Sequence, residues 1–237
     1  MAKAIRKGKT QKINTESYYN HENRGRAFRE NMREYKRIPN HIGVIPDGNR
    51  RWAMVRGMER KEGYRYGINP GFQLYELCSD LGVKELTLYG FTVDNTKRPA
   101  AQKEAFQKAC VDAVMELTRR DAELLVIGNT DSPCFPRELI PFTNRVKFGE
   151  GKIKVNFLVN YGWDWDLNHS GGPASKDISK MDLIIRWGGR RRLSGFLPIQ
   201  SVYADIYVLD ELWPDFCPEQ FYRALEWYQT QDTTLGG

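Results

Sequence analysis

The chain has 237 residues, 41% of them hydrophobic, which is enough to build one large core or two small ones. No stretch approaches the roughly 20 apolar residues that a membrane span needs. The net charge of +6 is concentrated in residues 1–38, which hold eleven Lys/Arg against four Glu, leaving 25 basic and 26 acidic groups in residues 39–237. A basic, polar arm therefore precedes a nearly neutral body, and nucleic acid is not an expected partner.

No apolar leader for secretion is expected. The four cysteines (Cys78, Cys110, Cys134, Cys217) are scattered without a CxxC, which reads as reduced thiols in a cytoplasmic protein. His21, His41 and His169 are too dispersed for a histidine metal site.

Residues 39–237 read as a single domain that alternates strand and helix. His41–Ile45 is a short apolar strand leading into Asp47-Gly48-Asn49. A helix is predicted from Asn69-Pro70, with Asn as N-cap. Leu74, Leu77, Cys78 and Leu81 form its inward face, and Gly82 stops it. Glu85–Phe91 is the next strand, and residues 100–121 a long helix with Phe106, Cys110, Ala113, Val114 and Leu117 facing inward. Then follow a strand at Leu124–Ile127, a helix at Arg137–Lys147, a strand at Lys154–Val159 and a polar, mobile loop from Gly162 to Lys180. The last strand is Met181–Ile185 and the last helix Pro218–Gln229. This alternation predicts an α/β fold, a central parallel sheet wrapped by helices.

The most informative stretch is Asp182 to Phe216. An apolar strand runs into Arg186, and Gly188-Gly189 then allow a tight turn into Arg190, Arg191, Arg192 and Ser194. Arginines at the carboxyl end of a parallel strand suit a diphosphate, because the guanidinium fork donates two hydrogen bonds at once. Asp47-Gly48-Asn49-Arg50-Arg51 follows the first strand, and Asp94-Asn95 with Arg98 follows the second. All three segments should share one sheet edge. One carboxylate among arginines suits Mg²⁺–diphosphate, with Asp47 as ligand. A helix cap or turn residue is the equally good reading of Asp47. No GxxxxGK[ST] phosphate loop occurs.

HIGVIPDGNRRWA (41–53), LTLYGFTVDNTKRP (86–99), NYGWDWDL (160–167) and the 182–216 stretch together resemble the ordered blocks of cis-prenyltransferases, the undecaprenyl diphosphate synthase-like enzymes. The resemblance covers about residues 39–230. It implies a homodimeric α/β fold with an apolar cleft, and Mg²⁺-assisted ionisation of an allylic diphosphate followed by attack of a second isoprenoid's double bond. Asp47 matches the catalytic Mg²⁺-binding aspartate, and Gly48, Asn49, Arg50, Arg51 and Arg60 match the group that holds the allylic diphosphate. Asn95 and Arg98 match residues that assist proton handling and position substrate. Arg186, Arg192 and Ser194 match the group for the second diphosphate, and Asp205 stands where a glutamate helps hold Mg²⁺. The retained Asp47 argues against a silent partner subunit.

The departures from the family pattern cluster around the substrates. Pro46 replaces a methionine, Tyr64 a histidine, Trp187 a threonine and Arg190 a glutamate; Asp94-Asn95-Thr96, Ser194-Gly195-Phe196 and Pro198-Ile199-Gln200 are also altered. Isopentenyl and dimethylallyl diphosphates share their diphosphate, so only the walls around the five-carbon part can tell them apart. Trp187 is read as such a wall, with Trp52, Phe91 and Phe196 as further aromatic candidates, and Tyr64 or Asn95 as neighbours of the leaving proton. The chain thus resembles irregular, lavandulyl-type members, of the kind that couples geranyl and dimethylallyl diphosphates head-to-middle. The alternative is regular elongation with isopentenyl diphosphate. Leu235-Gly236-Gly237 resembles a family tail that reaches a neighbouring active site.

Overall fold

β1 (His41–Ile45) lies inside a seven-stranded sheet, with a strand on each side, and is buried along its whole length. In the computed structural model, residues 35–232 are described. The basic arm before them and the tail at 235–237 lie outside the described residues.

The strands are β2 (Glu85–Tyr89), β3 (Ala122–Ile127), β4 (Val146–Lys147), β5 (Ile153–Leu158), β6 (Leu183–Arg186) and β7 (Asp205–Val208). Their order is β4-β3-β5-β2-β1-β6-β7, parallel throughout except for the β3–β4 pair. β1, β2 and β6 are buried along their whole length because helices and loops cover both faces. The chain leaves β1 toward β2 on one side and later reaches β6 on the other. The crevice beyond the carboxyl end of β1 is therefore a topological switch point, where open α/β sheets take ligands.

The helices are α1 (Asn49–Val55), α2 (Gly63–Tyr66), α3 (Ile68–Asp80), α4 (Ala100–Leu117), α5 (Trp163–Leu167) and α6 (Pro218–Tyr228). α3 buries Leu74, Tyr75 and Cys78 against the sheet, and α6 buries Phe221, Ala224, Leu225 and Tyr228, spacings that keep one helical face inward. A second core lies under the loop side of the sheet, where Ile45, Tyr89, Leu158, Tyr161, Ile184, Phe196 and Leu197 pack together. Arg37 ties the start of the body to its end. It donates to the carbonyls of Tyr228 (2.6 Å) and Gln231 (3.2 Å), and its guanidinium lies 4.0 Å from the Tyr228 ring centroid.

Four expectations need correction. Arg137–Lys147 is not one helix: a 3₁₀ turn over Arg137–Phe142 gives way to the antiparallel strand β4. Pro141 inside that turn lacks the N–H an α-helix would need. α3 starts at Ile68 after Gly67, so Asn69 lies within the helix and caps nothing. The 162–180 loop contains α5 and is pinned by Asp166, which accepts from the Tyr161 hydroxyl (2.7 Å), the Ser175 hydroxyl (2.7 Å) and the Ser175 N–H (2.8 Å). Last, β7 extends the sheet beyond β6. It escaped the sequence reading because an edge strand of four residues, with Ile206 41% exposed, carries little apolar signal. No helix among the described residues is long and apolar enough to cross a membrane.

The amino-terminal edge of the sheet carries a buried polar network. His41 Nδ1 donates to the Ser179 carbonyl (3.0 Å), so Nε2 accepts from the Thr87 hydroxyl (2.8 Å). The Asn156 amide donates to both Thr87 Oγ1 (2.8 Å) and Glu85 Oε1 (2.7 Å). Arg145 donates to Asn156 Oδ1 at 2.8 Å. Both ring nitrogens are satisfied in the neutral form, and burial lowers the His41 pKa against the opposing pull of Glu85, Asp182 and the Ser179 and Lys180 backbone.

Candidate active site

The strand ends place the chemistry. β1 and β6 are paired with Ile45 opposite Arg186, so the residues that follow Ile45 emerge beside the Arg186 side chain. The chain turns at Pro46-Asp47-Gly48 and enters α1. Gly48 sits at φ +115°, and a Cβ there would lie 3.1 Å from the Leu212 backbone, so glycine is required.

Asp47 Oδ2 accepts from Arg186 Nη2 at 3.0 Å, and its Oδ1 lies 3.4 Å from Arg51 Nη2. Arg186 is almost fully buried, and its other amino group donates to the Arg192 carbonyl and to Ser194 Oγ at 3.2 Å. Its Nε has no protein partner. Arg51 also donates to the Gly188 carbonyl at 2.9 Å. Gly188 has φ +84°, and a Cβ would come within 2.4 Å of the Arg51 guanidinium and 3.1 Å of the Asp47 carbonyl. Ser194 holds a left-handed φ of +54°, fixed by the Tyr89 hydroxyl donating to its carbonyl at 2.8 Å. A strained non-glycine residue held this firmly is characteristic of binding loops.

These groups line a cavity of about 580 Å³. Its wall brings together Asp47, Gly48, Asn49, Arg50, Arg51, Asn95, Arg98, Arg186, Arg192 and Ser194 from the three segments, with Arg60 and Tyr64 from the stretch after α1. Arg50 reaches Gln102 at 3.4 Å and Arg60 rests on Met54 Sδ at 3.0 Å. Asn95 accepts from the Thr92 N–H at 3.1 Å and so caps the 3₁₀ turn Val93–Lys97. Arg98 donates to the Tyr64 hydroxyl at 2.9 Å. Burial pushes the Tyr64 phenol up against the pull of Arg98 and Arg50, and it stays neutral. Arg190 also lines the cavity; with it the wall carries seven arginines (50, 51, 60, 98, 186, 190, 192) against two aspartates (47, 94). Such a surplus in a concave site is a polyanion trap.

Two predicted site residues stand elsewhere. Trp187 is fully buried: its indole N–H donates to Gln220 Oε1 at 2.8 Å and its ring meets Trp213 edge-on at 4.7 Å. Successive strand residues point to opposite faces, so the residue after Arg186 turns away from the cavity. Asp205 opens β7 opposite Leu183, and Val208 is the residue level with Arg186. About 10 Å of strand thus separates Asp205 from the edge that carries Asp47. Trp52, Phe91 and Phe196 are core residues, none of them in the cavity wall. The sequence reading missed Tyr89, Thr92, Met54 and Phe106 as wall residues. Tyr89 ends β2, and that position was the available signal.

No group of three or more His, Cys, Asp or Glu that could hold a metal occurs among the described residues. Asp47 is one carboxylate beside anion-binding arginines. That donor set fits Mg²⁺ brought with a diphosphate, since Mg²⁺ takes one or two carboxylates plus phosphate oxygens and water.

Five residues, Pro46, Asn49, Tyr64, Gly90 and Phe106, line both this cavity and a smaller apolar one of about 70 Å³. The smaller cavity lies between α3, α4 and the sheet, walled by Phe72, Leu88, Ala113, Leu117, Phe157 and Trp213 among others.

A family model described as "Putative undecaprenyl diphosphate synthase" matches residues 45–173 and 172–236. An isoprenyl transferase from Heliobacterium mobile is 31% identical over 85% of this chain and 88% of its own length. A ditrans,polycis-undecaprenyl-diphosphate synthase from Buchnera aphidicola, (2E,6E)-farnesyl-diphosphate specific, is 30% identical over 91% of this chain and 95% of its own. Among solved structures, lavandulyl diphosphate synthase from Lavandula x intermedia, in complex with dimethylallyl diphosphate, superimposes with a TM-score of 0.71. It shares 23% identity over 84% of this chain and 98% of its own.

Proposed function

The chain belongs to the undecaprenyl diphosphate synthase-like family of cis-prenyltransferases, and on that premise we propose that it is a Mg²⁺-dependent enzyme that couples short isoprenoid diphosphates. In this reading a dimethylallyl or geranyl diphosphate is the allylic donor, and dimethylallyl diphosphate is the acceptor, joined head-to-middle into a branched diphosphate. The observation that carries the short-chain reading is the small apolar cavity behind the arginine-lined one. At about 70 Å³ it is half the size of the roughly 150 Å³ cavity that takes up benzene, which favours a short tail over a long one. Head-to-middle coupling draws support from Arg190, which puts a cation into the cavity wall where the family pattern has a glutamate.

Arg50, Arg51 and Arg60 would hold the donor diphosphate, with Gly48 and Asn49 shaping the turn that carries them. When bound at Asp47, Mg²⁺ supplies Lewis-acid stabilisation of the departing diphosphate. Arginines fixed before ionisation stabilise the charge that develops on the leaving group without reorganising. Arg186, Arg192 and Ser194 would hold the acceptor diphosphate by hydrogen bonds alone, so that it stays attached. Arg98 and Asn95 would position the reacting carbons. The leaving proton would pass to the bound diphosphate, with Asn95 and Tyr64 beside it.

Regular elongation with isopentenyl diphosphate is the second reading, favoured by the names of the relatives. Incubation with Mg²⁺, geranyl and dimethylallyl diphosphates, with and without isopentenyl diphosphate, separates the two. A branched product formed without isopentenyl diphosphate supports head-to-middle coupling. Linear products formed only in its presence overturn it.

A homodimer is part of the proposal. Ile199, Val202, Tyr203 and Ile206 are 41–61% exposed around the edge strand β7, an apolar patch suited to a second copy. Asp205 lies within this stretch, so a metal contact from it would be to the neighbouring copy's cavity. A cytoplasmic location is proposed from the four free thiols.

A further inference from the structure

We infer that Trp163 is a positioning residue for the acceptor diphosphate, its indole pinning the loop that carries Ser194. The inference rests on the proposed function in assigning Arg186, Arg192 and Ser194 to the acceptor. Trp163 belongs to the NYGWDWDL stretch (160–167), which supplies no residue of the arginine-lined cavity wall.

The loop after β6 is tightly wound. Ser194, Gly195 and Leu197 have φ values of +54°, +80° and +38°, in the left-handed region that costs a residue other than glycine. Such a loop keeps its shape only where its surroundings over-determine it. Two holds lie on the core side. Phe196 is fully buried with its ring 5.0 Å from that of Tyr89, and the Tyr89 hydroxyl donates to the Ser194 carbonyl at 2.8 Å. Trp163 supplies a third. Its Cδ1 lies so close to Gly195 that a Cβ there would come within 2.6 Å of it. At 52% exposed, Trp163 adds little to the core, but it lies against this loop.

Trp163 is itself held in place. It opens α5, which Asp166 anchors to the Tyr161 and Ser175 hydroxyls. The Tyr161 carbonyl accepts from the Val93 N–H at 2.9 Å, which ties this segment to the turn that carries Asn95. The indole thus fixes the loop after β6 against the segments after β5 and β2, and keeps Ser194 Oγ at 3.2 Å from Arg186 Nη1. Without it the Gly195 backbone is free to turn, and Ser194 loses its place beside the arginine.

The test measures KM for both substrates in wild type, Trp163→Phe, Trp163→Leu and Trp163→Ala. Geranyl diphosphate is the donor, and the acceptor is the five-carbon diphosphate that wild type couples to it. Trp163→Ala should raise the acceptor KM about fivefold, with donor KM and kcat within twofold, as for an interaction that serves binding alone. Trp163→Phe, which keeps an aromatic face on Gly195, should lie closer to wild type. In a Ser194→Ala background, Trp163→Ala should add less than twofold, because the side chain it positions is gone. An acceptor KM within twofold of wild type in Trp163→Ala overturns the inference. So does an equal rise in both KM values, or an undiminished effect in the Ser194→Ala background. Should Trp163→Ala fail to fold, Trp163→Leu takes its place in both comparisons. Absence of prenyl transfer by wild type with either acceptor would instead overturn the proposed function, and the acceptor role of Ser194 with it.

Discussion

Asp47 and Trp187 show how differently two sequence-selected residues fare once packed. The Asp47 carboxylate sits between the guanidinium groups of Arg186 and Arg51 at the cavity wall. Asp47→Asn removes the charge and keeps the shape. Turnover should fall by about 10²–10³, the loss typical of one electrostatic group aimed at a transition state, with the melting temperature little changed. Turnover within a few-fold of wild type would remove Asp47 from the chemistry. Trp187 is a packing residue, and Trp187→Phe leaves Gln220 Oε1 without the indole donor. That change should cost about 1–3 kcal/mol of stability and leave the product ratio unaltered. A changed product ratio at unchanged stability would restore Trp187 as a selector. The family pattern marks position 187 as altered, but only the two-residue alternation of the strand end says which way its side chain faces.

At the scale of elements, the pattern of apolar runs was legible where burial is complete. β1, β2, β5 and β6 lie within a residue or two of their predicted bounds, because strands covered on both faces are mostly apolar. The short elements were not legible. β4 has two residues, α5 five and β7 four, and each is fixed by partners distant in sequence. β7 joins the sheet by pairing with β6, and α5 is held through Asp166, Tyr161 and Ser175.

The amino-terminal strand edge makes a prediction of its own. His41 is held neutral, below its ordinary 6.5, so the unfolded chain binds a proton there more readily than the folded one. The stability this contributes is complete above about pH 6.5 and falls as pH drops through the window below it. Glu85 adds to the same trend at lower pH. Burial raises its carboxyl, but His41, Ser179, Asn156 and Arg145 together hold it below its ordinary 4.5. Melting temperature should therefore decline from pH 7 to pH 5.5 in wild type and decline less in His41→Gln. Parallel curves for the two proteins would exclude His41 as the source.

For the whole molecule, one arrangement explains why scattered segments share one cavity wall. Three motifs distant in sequence follow β1, β2 and β6, and a parallel sheet with β1 between the other two brings their ends to one edge. Asp205 stands apart for the same reason in reverse: it opens strand β7 instead of following one, so it lies away from the edge that carries Asp47. The proposed homodimer is tested at this scale. Light scattering should give twice the chain mass of 27.5 kDa, and Val202→Glu, which puts a charge into the exposed patch, should shift the population to monomer. A monomeric wild type at micromolar concentration would contradict the dimer. The Arg190 substitution belongs to this scale as well, since it alters the charge of the shared cavity without touching the fold. Arg190→Glu should shift coupling toward isopentenyl diphosphate, as read from the products of a mixed-acceptor incubation; an unchanged preference would free Arg190 of that role.

The most direct measurement is a crystal structure with Mn²⁺ and unreactive dimethylallyl thiolodiphosphate, using the anomalous signal of manganese. A manganese peak is expected at the Asp47 carboxylate, shared with diphosphate oxygens, and the diphosphate within hydrogen-bonding reach of the cavity's arginines. A diphosphate bound outside that cavity, or manganese bound with no contact to Asp47, would contradict it.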